Sequence, residues 1–70
     1  MTLRELLLKE LNVLVTMIPE YRRDFNYSYT QMKNLNTEKA FALFVDAWTR
    51  LKSAEDRLQF INEVLGEASE

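Results

Sequence analysis

The sequence predicts an all-α fold, three to four short helices in a small antiparallel bundle completed by homodimerisation. Three observations carry this. Apolar residues recur at helical spacing through most of the chain, helix breakers are almost absent (one Gly, one Pro), and no cysteine is present. With 70 residues, 47% of them hydrophobic, the chain reads as one folded domain over 1–70 with a single small core. Such a core rarely supplies more than roughly 3–5 kcal/mol, and short domains lean on disulfides, a metal or another chain. The first is excluded by the missing cysteines. The second is disfavoured by the absence of histidine, the commonest metal ligand.

The first element spans 2–18. Thr2 followed by Glu5 has capping-box spacing, in which the hydroxyl accepts from an orphan amide. Leu7, Leu11, Leu14 and Ile18 step by four, three and four and form one stripe. Leu3, Leu6, Leu8, Val13, Val15 and Met17 extend the apolar surface far beyond it, more than two short neighbouring helices can cover. The stripe is therefore assigned to self-association in a homodimer. As a coiled coil it persists for barely two heptads, too few to stand alone. Pro19 ends the element or opens the next one.

Residues 20–33 fit two periods. Tyr21, Phe25, Tyr29 (or Ser28) and Met32 suit a helix, whereas Phe25, Tyr27 and Tyr29 alternate with polar residues as a strand does. A helix is preferred because a lone strand has no pairing partner in a helical chain; a strand paired across a dimer is the alternative. Asn34, Asn36 and Thr37 form a polar break, and Asn36 or Thr37 can cap the next helix. That helix is expected over 38–52, with Phe41, Phe44, Trp48 and Leu51 on its stripe. Ser53 with Asp56 repeats the cap signal, so a fourth helix over 54–65 is expected, carrying Leu58, Ile61, Val64 and Leu65 and ending at Gly66. One continuous helix over 38–65 is the alternative. The tail beyond Gly66 is expected to fray.

The residue inventory also bounds function. Without histidine or cysteine, the usual general base and soft nucleophile are missing, and carboxylate pairs such as Glu20 with Asp24 or Glu55 with Asp56 read as helix-surface charges. One glycine cannot make a phosphate-cradling loop. No enzyme and no cofactor are expected. The most unusual feature is the segment from Tyr21 to Tyr29, which gathers all three tyrosines with Arg22 and Arg23. Tyrosine and arginine dominate interface hot spots, so Tyr21, Arg22, Arg23, Tyr27 and Tyr29 are assigned as a partner-binding patch. The plainer reading makes Tyr21 and Phe25 core and the arginines surface charges.

The expected function is a non-enzymatic protein–protein interaction module, an inhibitor, adaptor or regulator that covers a surface on another protein. In size and style it matches phage and mobile-element accessory proteins. The alternatives are a small nucleic-acid-binding transcriptional regulator and a structural subunit of a larger assembly. Aromatics interleaved with arginine can stack bases, but a net charge of −2 gives no positive field to draw the chain to nucleic acid. No run of about 20 apolar residues could span a membrane, and Lys9, Glu10 and Asn12 interrupt any export-type apolar core, so the expected location is the cytoplasm.

Overall fold

A computed structural model describes residues 2–68, with the side chain of Ala68 left out. Two long helices pack against each other as a helical hairpin: α1, Leu3–Leu35, and α2, Glu38–Ala68. The expected three or four helices are thus two. The expectation that the chain frays after Gly66 falls in part on residues 69–70, outside the described residues; Glu67 and Ala68 are helical.

Local chemistry sets the ends. Thr2 is extended (φ −81°, ψ 161°) and its hydroxyl accepts from the Glu5 amide at 3.2 Å, satisfying one orphan N–H of the first turn. At the other end Asn36 takes the left-handed conformation (φ 49°, ψ 44°), and its amide bonds back to the Met32 carbonyl at 3.0 Å. Asparagine tolerates that region better than most residues. Thr37 then caps α2, its hydroxyl accepting from the Ala40 amide at 3.2 Å. A connection this short forces the helices antiparallel.

The segment 20–33 is helical throughout, and the strand alternative falls away. Thr30 turns its hydroxyl onto the Asn26 carbonyl at 3.1 Å, as Thr16 and Thr49 do toward Asn12 and Val45, so these residues hydrogen-bond within the helix. Pro19 neither ends α1 nor starts a new element; it lies exposed inside the helix. The reason is the seam. Leu7, Leu11, Leu14 and Ile18 are the beginning of a four–three ladder that continues through Tyr21, Phe25, Ser28 and Met32. The heptad therefore runs the length of the helix, and breaking it at Pro19 would separate two halves of one packed stripe.

The same reasoning removes the expected break at Ser53. In α2 the seam is Ala40, Phe44, Ala47, Leu51, Ala54, Leu58, Ile61 and Leu65, again in steps of four and three. Ala54, expected to open a fourth helix, is buried in the middle of α2, while Ser53 faces solvent. Lys52 and Asp56 pair across this point at 3.4 Å. A strict seven-residue repeat needs only slight supercoiling to stay on one face, so no break is required to correct its drift. Gly66 likewise lies within the helix without positive φ, rather than terminating it.

The core is thin. Leu14, Ile18, Leu51, Ala54 and Ile61 form a buried cluster, with Leu7, Leu11, Tyr21, Phe25, Leu58 and Leu65 packed partly buried against it. Alanines at 40, 47 and 54 recur every seventh residue at buried positions, giving α1 small residues to approach but little apolar area to cover. No large side chain is fully buried among the described residues.

Candidate functional site

Each helix has two rows directly beside the seam, and the hairpin joins them into two flanks. On one flank α1 contributes Leu8, Val15, Arg22 and Tyr29, and α2 contributes Phe41, Trp48, Glu55 and Asn62, each set spaced by seven. Contacts place these rows together. The Phe44 ring lies 5.8 Å from those of both Tyr29 and Trp48, and 5.3 Å from that of Phe25, while Arg22, Glu55 and Asn62 line one open groove. The opposite flank carries Glu10, Met17 and Asp24 from α1 and Leu43, Arg50, Arg57 and Val64 from α2. Glu10, Met17, Arg50 and Arg57 share a groove there.

The two flanks differ in kind. Charge of both signs interrupts the second, as expected of a solvated coiled-coil edge. The first is dominated by apolar residues: Val15 is 56% exposed, Phe41 55%, Trp48 52% and Tyr29 44%. Lys33 sits over the Tyr29 ring at 5.4 Å, a cation–π contact at the edge of the aromatic group.

The structure disperses the patch expected from sequence. Tyr21 belongs to the seam and is half-buried; Arg22 and Tyr29 share the apolar flank; Arg23 points away from α2; Tyr27 stands toward the other side, where it lines a concavity near the turn with Gln31, Leu35 and Leu43. Five residues adjacent in sequence thus surround the helix, and only Arg22 and Tyr29 meet on one surface. The self-association stripe has an internal use: Leu14 and Ile18 are buried against α2, and Leu7 and Leu11 pack beside them. What remains outward on α1 is Leu3, Leu6, Leu8, Val13 and Val15. Sequence reasoning missed Phe41 and Trp48 as surface residues by placing them on the buried stripe. Their seven-residue spacing, offset by one from Ala40 and Ala47, was the signal that could have found them.

The polar residues of the Trp48 flank, Arg22, Glu55 and Asn62, are exposed. No polar or charged side chain is buried among the described residues, and no group of three or more acidic residues gathers there. Glu20, Asp24 and Glu55 are exposed, and Asp56 is exposed in its pair with Lys52. Among the described residues no helix is long and apolar enough to cross a membrane. Compared with protein-family models, curated proteins and solved structures, the chain matches none.

Proposed function

We propose that this chain is a non-enzymatic protein–protein interaction module that works as a homodimer, acting as an inhibitor, adaptor or regulator by covering a surface on another protein. One observation carries the reading. The hairpin exposes 5596 Å², against about 4,600 Å² expected for a compact monomer of its mass, and the excess of about 1,000 Å² approximates one partner's share of a standard interface. Shape gives the same answer: the radius of gyration is 15.6 Å, where a compact chain of this length has about 11 Å. Much of the exposed surface is greasy, including Leu3 at 69%, Tyr27 at 67% and Phe60 at 62%.

A pair of helices with a partly alanine seam gains little from folding alone, and association supplies the missing burial. Sedimentation equilibrium from about 1 to 100 μM tests the reading, a range set by interfaces of modest size. A dimer mass that dissociates on dilution is expected. A monomer mass at every concentration would overturn it.

A further inference from the structure

We propose that the concavity beside the turn binds a small amphipathic carboxylate, its hydrocarbon body against Leu35, Ala40 and Leu43 and its anionic head at Lys39 and the Ser28 hydroxyl. This inference does not rest on the homodimer reading above, and it concerns the side of the hairpin away from the Trp48 flank.

The concavity follows from the seam. Phe25 and Phe44 fill their level with rings 5.3 Å apart, but one step nearer the turn the helices meet through Ser28 and Ala40, both small. Side chains of that size leave the space beside them unfilled, and a hollow of about 300 Å³ opens there. Leu35 and Leu43, 58% and 55% exposed, form its apolar walls. In volume it stands at the small end of ligand pockets. An apolar cavity of about 150 Å³ takes benzene, so this hollow suits a molecule of about a dozen heavy atoms.

The polar groups that line it are unused by the protein itself. Thr16, Thr30 and Thr49 turn their hydroxyls onto carbonyls one turn back, an ordinary course for such a residue inside a helix. Ser28, half-buried on the seam, does not. Neither its hydroxyl nor the Gln31 amide has a hydrogen-bond partner among the described residues, and Lys39 makes no ion pair there. Lys39 is also the only charged residue lining the hollow, which fixes the sign of the ligand. One cation and a few neutral donors beside apolar walls match a monoanion with a hydrocarbon body; a multiply charged phosphate would be left undercompensated. The carboxylate accepts from the Lys39 ammonium and the Ser28 O–H, while its chain displaces water from Leu35, Ala40 and Leu43.

The test is an amide-resolved NMR titration of the whole chain at fixed pH and ionic strength, with octanoate in one arm and phenylpropanoate in the other. The two arms separate a straight-chain source from an aromatic one. At least one acid is expected to give saturable shifts centred on Ser28, Gln31, Lys39 and Leu43, with a Kd on the order of 1 mM for so small a ligand in an open site. Octanol and phenylpropanol lack the charge and should bind about tenfold more weakly, and K39Q should weaken the acid by about the same factor. S28L fills the hollow with a side chain of the kind that packs the seam elsewhere, so it should abolish binding with helicity kept by circular dichroism.

The absence of saturable shifts with either acid overturns the site, as do shifts centred on the Trp48 flank. Alcohols that bind as well as the acids, or K39Q that binds as wild type does, overturn the carboxylate assignment. Lys39 is exposed, so K39Q leaves the core untouched and decides the matter even where S28L fails to fold.

Discussion

Replacing Pro19 by alanine should stabilise the hairpin. The proline lies exposed within α1, so its ring is not part of the core. It has no amide hydrogen, and the Val15 carbonyl, one turn back, therefore loses its helical donor and is crowded by the ring. In a helix interior this costs about 3 kcal/mol relative to alanine. Part is offset because proline also restricts the unfolded chain, worth about 0.4–1 kcal/mol. A net gain of about 2 kcal/mol is expected for P19A. For a domain of this length each kcal/mol moves Tm by roughly 4–8 °C, so the melting curve should rise by roughly 10 °C. The assay is circular dichroism at 222 nm during heating, with wild type and variant at equal protomer concentration, because Tm depends on concentration for any chain that associates. An unchanged or lowered Tm would refute the reasoning, since it would mean that the helix is interrupted there and that the seam does not hold both halves together.

Other substitutions probe the seam, the turn and the flank. I18A removes a buried side chain packed against α2 and should cost about 2–4 kcal/mol, enough to leave the protein largely unfolded by chemical denaturation. T37A deletes the cap on the Ala40 amide and should cost about 1 kcal/mol, whereas N36G, at a positive φ that glycine adopts freely, should be neutral or slightly stabilising in the same urea titration. Trp48 is the sole tryptophan and half exposed, so its emission should shift to the blue as concentration rises and the flank is covered; emission independent of concentration would count against burial of that residue.

The local signals in the sequence divide by whether tertiary packing agrees with them. Thr2 and Thr37 were legible as caps because nothing competes for their hydroxyls, and both cap. Pro19 and Ser53 were equally clear as punctuation, yet the helices run through both. Each lies outside the seam, on an exposed position, and a break there would uncouple buried neighbours: Ile18 from Tyr21 in one case, Leu51 from Ala54 in the other. The cost of one proline, about 3 kcal/mol, is smaller than that of losing several buried side chains at roughly 1.5–3 kcal/mol each. The ladder from Leu7 to Ile18 was visible, as were Tyr21 and Phe25 as core residues in the plainer reading; the continuity between them was hidden by Pro19, read as a boundary, and further on by Ser28, which holds its seam position by register rather than by hydrophobicity.

The candidate surface was harder to read than the fold, for a related reason. Tyr21, Arg22, Arg23, Tyr27 and Tyr29 stand out as neighbours in sequence, whereas a helix separates adjacent residues by 100° and gathers those three, four or seven apart. A compositional cluster therefore scatters, and the surface is assembled from residues far apart in the chain, such as Tyr29 and Trp48. Seam chemistry then governs how apolar that surface is. Alanine at 40, 47 and 54 takes three of the seam positions of α2, and Phe41 and Trp48, each one residue further on, fall by register on the exposed edge. Larger residues at those alanine positions would give a better-filled monomer only if the helices could move apart, and that movement would also loosen the Phe25, Phe44 and Trp48 ring contacts. The thin interior and the greasy flank are thus one arrangement: the seven-residue repeat that puts alanine at buried positions of α2 puts Phe41 and Trp48 one step on, at the exposed edge.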